Sequence, residues 1–217
     1  APAVRNEARG WRLKPLHREI LLSRAYRQAG RSRDDAARVD RDARLLWRFP
    51  PRRLSAEEVR DTMLAVAGRL RLEPMGGPGF RLYKFTQNNV STYVPLDEHG
   101  PETFRRAVYH QNARASVVDV LTDFDLPDIA SAAPRRASTT TPLQALTLLN
   151  HRFTFAMADA LAARAAGGDL VGETYSAAFQ RSPTAGERAA AEALVARHGA
   201  AAFCRSVLNA SELIHLD

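Results

Sequence analysis

The sequence predicts a mainly α-helical single domain with a small antiparallel β ribbon or loop insertion. Three observations carry this. Apolar residues recur at helical spacing towards both ends, helix starts bear capping signals, and the β-prone stretches are short and confined to the middle. The single domain expected over residues 1–217 then divides into N-terminal helices (15–73), a ribbon and loop region (74–134) and C-terminal helices (135–217).

The first helix is expected over residues 16–28, with Pro15 just inside its start and Gly30 past its end. Leu16, Ile20, Leu21 and Ala25 would form its buried stripe. A connector follows in which Arg33, Asp34, Asp35, Arg38, Asp40, Arg41, Asp42 and Arg44 mix both signs, as on a solvated face. After an apolar turn at Leu45-Leu46-Trp47, Ser55 and Glu58 form a capping box. The helix it opens carries Val59, Met63, Val66 and Ala67 on one stripe, and Gly68 suits its end.

Pro74, Gly76, Gly77, Pro78 and Gly79 mark a tight turn, and residues 80–85, 91–94 and 107–110 are β-prone. Asn88-Asn89, Pro95 and Gly100-Pro101 interrupt them. Thr141 is then an N-cap with Pro142 at the first helical position. Leu143, Leu146 and Leu149 continue into Phe153, Ala156, Ala160 and Leu161, with an interruption near Asn150. The threefold leucine spacing places residues 141–149 as the central buried helix. Val171, Tyr175, Ala178 and Phe179 mark another helix, Thr184 and Glu187 form a further capping box, and Phe203, Val207 and Leu208 share a face in the last segment.

Composition excludes several classes. No apolar run approaches a membrane span, and the single cysteine, Cys204, rules out an internal disulfide framework and a zinc ribbon. The chain has no CxxCH for covalent haem, no HExxH or HxxxH, and no GxSxG elbow. The six histidines look scattered, and Cys204 reads as inert core. Gly76-Gly77-Pro78-Gly79 lacks the lysine and hydroxyl of a phosphate loop. The absence of an initiator Met and of a signal segment suggests a piece of something longer.

The net charge of +7 invites a nucleic-acid reading, but the excess is local. Residues 1–60 hold 16 basic against 8 acidic side chains, and the rest is balanced. Only Lys14 and Lys84 are lysine, a bias that fits a GC-rich coding genome better than selection for phosphate contacts. A nucleic-acid-binding basic domain is therefore the disfavoured alternative.

The candidate ligand or ion-pair site comprises Asp123, Asp125, Asp128, Arg135, Arg136 and Thr141. The three aspartates resemble a calcium loop but lack its central glycine and closing glutamate. Two guanidinium groups beside the helix start at Thr141 would suit an anion. The plainer expectation, and the favoured one, is that they pair with the aspartates. No catalytic residues and no metal ligands are assigned.

Several strings together resemble one family. They are LHREILLSRAYRQ (16–28), RLLWRFPPRRLSAEEVRD (44–61), GRL…MGGP (68–78), FDLPD (124–128), RRASTTTPLQALTLLN (135–150), RSPTAGE (181–187) and VLNASEL (207–213). The chain resembles the planctomycete-specific domain "PSD-one", domain of unknown function fifteen-fifty-three. The resemblance implies the carboxyl-terminal part of a large exported protein, with a cytochrome-c-like domain and so any haem upstream. It implies no established activity, and it makes those upstream domains the first expected partners, beside an unknown protein or polysaccharide. Relatives often carry a Cys between the FDxPD and RR motifs, where this chain has Ala132-Ala133. An accessory or binding module is the leading expectation; part of an enzyme site completed by upstream domains, in polysaccharide or redox metabolism, is the alternative.

With no ligand spacing for metal or haem, the isolated chain is expected to fold without either. Equal thermal midpoints with and without chelator, and no Soret shift on adding haem, are the outcomes that agree.

Overall fold

A computed structural model describes residues 10–73, 75–87, 90–113, 116–128 and 130–216. Pro74, Asn88 and Asn89, which the sequence reading placed in turns, lie outside the described residues. The chain divides into two compact units, one of Ala1–Arg52 with His215–Asp217 and one of Arg53–Ile214.

In the smaller unit, helix α1 (Leu13–Leu21) and the short α2 (Asp34–Val39) carry no buried residue. The stripe expected from Leu16, Ile20, Leu21 and Ala25 is therefore not a buried one; Leu16 is half-buried and the others are exposed. The helix is also shorter than expected, ending where Ser23 turns back onto the Ile20 carbonyl. Trp47 gathers the rest. Its indole N–H donates to the Asp40 carbonyl at 2.6 Å, and the Arg33 and Arg48 guanidinium groups lie 5.7 and 5.2 Å from its ring.

The larger unit is mainly helical. Ser55 and Glu58 close the expected box at the start of α3 (Ala56–Val66), where Val59, Met63, Leu64 and Val66 are buried. Gly68 then reverses the chain at φ +67°, a conformation that glycine adopts without strain. The antiparallel ribbon pairs β1 (Tyr83–Gln87) with β2 (Ser91–Pro95), and Phe85 stands opposite Tyr93. The third β-prone stretch is not a strand: Ala107–Tyr109 is a 3₁₀ turn, and only His110 bridges back to Phe80. Pro101–Thr103 forms a similar turn. A run this short, set between turns and holding a single bridge, cannot build a ladder.

After α4 (Asp119–Thr122), Thr141 and Gln144 form a capping box that opens α5 (Pro142–Asn150). The chain breaks at His151 and restarts as α6 (Arg152–Arg164). Helices α7 (Leu170–Phe179), α8 (Ala185–His198), α9 (Ala200–Leu208) and α10 (Ser211–Ile214) follow, with the Thr184–Glu187 box as expected. The most extensive helix contact is α6 against α9. Phe153, Met157 and Leu161 there meet Phe203, Cys204, Val207 and Leu208 in one apolar cluster with α3, Leu82, Leu121 and Phe124. The central buried helix is thus α6, not α5.

Three of the four leucines of α5 face outward: Leu143, Leu146 and Leu149 are 56, 52 and 43% exposed. Its inner side is Gln144, Thr147 and Leu148. Polar groups that find partners on the inside have overridden the leucine spacing. Leu161→Ala is accordingly expected to cost about 2–5 kcal/mol through a cavity, and Leu146→Ala under about 1 kcal/mol. Urea midpoints at unchanged m-value measure both.

Candidate functional site

The six candidate residues fall along the segment that leads into α5, and the structure joins only part of them. Asp125 is the hub. Its Oδ2 accepts from the Thr139 backbone N–H at 2.8 Å and lies 3.2 Å from Arg53 Nη1, and its Oδ1 accepts from the Thr139 hydroxyl at 2.8 Å. Thr139 Oγ1 in turn accepts from Gln144 Nε2 at 3.2 Å, and Gln144 completes the box with Thr141. One carboxylate therefore holds the FDLPD turn, the start of α5 and Arg53 together. Burial pushes the Asp125 carboxyl up, but the Thr139 hydrogen bonds and the Arg53 charge outweigh it and hold it below the usual range.

Asp123 accepts from the Thr147 hydroxyl on the inner side of α5. Asp128 accepts from the Ala130 N–H at 2.8 Å, an Asx turn on the surface. The expected Arg136–aspartate pair does not form. Arg136 instead makes a bidentate pair with Glu57 in the first turn of α3, at 2.6 and 2.7 Å. Its guanidinium holds the Glu57 carboxyl below its ordinary range. The reason is geometric: Thr139 and Arg53 already occupy Asp125, and a carboxylate at a helix N-terminus suits the dipole as well. Arg135 is exposed and makes no ion pair among the described residues.

Sequence reasoning missed a second cluster. Of three histidines that look scattered, His99 and His110 lie within reach of the buried Arg60 charge, and His151 stands beside His99. Arg60 donates to the Thr103 and Arg105 carbonyls at 2.6 and 3.0 Å, and its guanidinium sits 5.0 Å from the Phe80 ring and 5.6 Å from that of Phe153. Asp61, 3.7 Å away, is its nearest carboxylate. The His99 ring lies 5.1 Å from Phe153 and 5.5 Å from His151, whose Nδ1 caps α6 by accepting from the Phe153 N–H. Burial chiefly, and then the Arg60 charge, pushes His99 down to about 3 and His110 to about 4. No periodic signal marks these residues, because turns rather than helix faces bring in two of the three. Among the described residues no group of three or more His, Cys, Asp and Glu side chains is placed to hold a metal ion.

An open groove of about 1030 Å³ runs past Thr62, Arg164, Asp169, Glu173, Gln180 and Arg188. None of the six candidate residues lines it. Its cations already serve the fold. Arg164 Nη1 donates to the last carbonyls of α3, at 2.7 Å from Val66 O, and Arg188 pairs with Asp169 at 2.7 and 2.9 Å.

Two outcomes are expected. Arg53 and Asp125 side chains are 6 and 15% exposed, against 51 and 27% for Arg136 and Glu57. Asp125→Ala should therefore cost about 1.5–3 kcal/mol in chemical denaturation, and Arg136→Ala no more than about 1 kcal/mol. The histidines give a pH dependence of definite sign. Their folded pKa values lie below the unfolded value near 6.5, so the unfolded chain takes up the protons as pH falls. Their contribution is complete above that value and is lost downward towards about 4 for His110 and about 3 for His99. Each should add a slope approaching ~1.4 kcal/mol per pH unit below about pH 6, and His110→Gln should flatten unfolding free energies measured between about pH 6.5 and 5.

No curated protein and no solved structure matches the chain. One family, PSD1, described as a protein of unknown function (DUF1553), matches residues 3–195. That match takes in the capping boxes of α3, α5 and α8, the Asp125 hub and the buried Arg60 cluster alike, and the chain belongs to the PSD1 (DUF1553) family.

Proposed function

We propose that the chain is an accessory binding module at the carboxyl end of a larger exported polypeptide, and that α5 is its contact surface for an upstream domain. One observation carries this reading. Leu143, Leu146 and Leu149 follow one another at i, i+3 and i+6, so they lie on one face of α5, and all three are exposed. The opposite side of the same helix is fixed by the Thr141–Gln144 box, the Thr147–Asp123 bond and the Asn209 side chain on the Leu148 carbonyl. A rigid helix with an open leucine face is what a partner domain grips through apolar anchors.

The charged groups around it support the same reading. Asp125, Arg53, Arg136 and Glu57 are engaged in holding backbone, the Thr139 hydroxyl and one another. The family resemblance puts any c-type haem of the larger polypeptide upstream, and this chain carries no CxxCH.

Hydrogen exchange over residues 142–150, compared between the isolated chain and the same chain in its full reading frame, tests the reading. Protection gained in the longer polypeptide and lost again in L146D, with the isolated variant melting as the wild type does, is the expected outcome. Equal exchange in both contexts would remove α5 as the contact surface.

A further inference from the structure

We propose that residues 10–33 form a surface anchor that binds an anionic phospholipid bilayer. The observations are independent of α5. Helix α1 has Leu13, Leu16 and Ile20 at i, i+3 and i+7, one face, and none of its residues is buried. Trp11 and Leu13 just before and at its start are exposed, as are Leu21, Leu22 and Tyr26 at and beyond its end. In a unit where Ala43 is the one buried residue among those described, no apolar core draws these side chains in.

The charge around that face has one sign. Residues 10–33 hold Arg12, Lys14, Arg18, Arg24, Arg27, Arg31 and Arg33 against the single acidic Glu19. A short amphipathic helix with leucine on one face, arginine and lysine around it, and aromatic residues at its flanks is the composition that lies in the plane of a lipid interface. The apolar face enters the acyl boundary, Trp11 and Tyr26 sit at headgroup level, and the guanidinium groups meet the phosphates. Other occupants use only half of these features. A DNA duplex would take the arginines and leave the leucines in water. A second copy of the chain would cover the leucines but bring seven more cations against seven.

Sedimentation of the full chain with phosphatidylcholine vesicles, with and without phosphatidylglycerol, tests the proposal at about 0.05 M and about 0.5 M salt. Binding is expected only with phosphatidylglycerol, at least tenfold weaker at the higher salt. It should weaken at least tenfold in L13D/I20D and in K14E/R18E, both with wild-type melting. A blue shift of tryptophan emission on binding, absent in W11F, would place the segment at the interface. Failure to bind phosphatidylglycerol vesicles at low salt, equal binding by L13D/I20D, or binding of a DNA duplex that L13D/I20D leaves intact while vesicles stay free would overturn it. A failed α5 exchange experiment would leave this proposal standing, because it reads different residues.

Discussion

A guanidinium buried in an apolar core must find oxygen, and Arg60 imposes that requirement on the middle of the larger unit. It projects from α3, where helix formers and the Ser55 box have already fixed its position. The nearest oxygens are the Thr103 and Arg105 carbonyls, so the 101–110 segment is drawn in as turns. Phe80 and Phe153 close over the cation and shut out water, which is why its own pKa falls to about 10 while it stays charged. Burial chiefly, with the same positive charge adding to it, keeps His99 and His110 neutral. An arginine at this place therefore bears at once on the path of a loop, the protonation of two imidazoles and the packing of two aromatic rings.

What was legible in the sequence is what neighbours within four residues determine. The boxes at Ser55 and Thr184, the cap at Thr141, the reversal at Gly68 and the break before His151 are all local, and all occur as read. The misreadings concern which face of a helix looks inward. Leucine spacing in α5 and α1 marks amphipathic helices correctly but does not say whether the apolar side meets core or solvent. For α5 the choice was made by Thr147, whose hydroxyl reaches Asp123 far back in the chain. For α1, the described residues of its unit offer no apolar core to pack on.

The candidate site shows the same division. That opposite charges collect around the FDLPD and RRASTTT segments was visible from composition; which charge meets which was not. Arg136 finds Glu57 across 79 residues, and Asp125 is claimed by Arg53 across 72. The histidine cluster left no trace in the sequence because burial of a turn has no period. Long-range polar pairing is a property of the packed state, and it is where most of the candidate chemistry of this chain turned out to be employed in construction.

The larger unit begins and ends at one hydrogen bond, from the Leu54 N–H to the Ile214 carbonyl at 2.8 Å. Its two chain ends thus abut. A fold closed in this way is a cassette: it can be carried within a loop of a host polypeptide without spreading the host's ends apart. It can also be reopened elsewhere. Joining the ends with a short glycine linker and cutting at the exposed Gly167-Gly168 leaves every helix whole and every capping box within one stretch of chain.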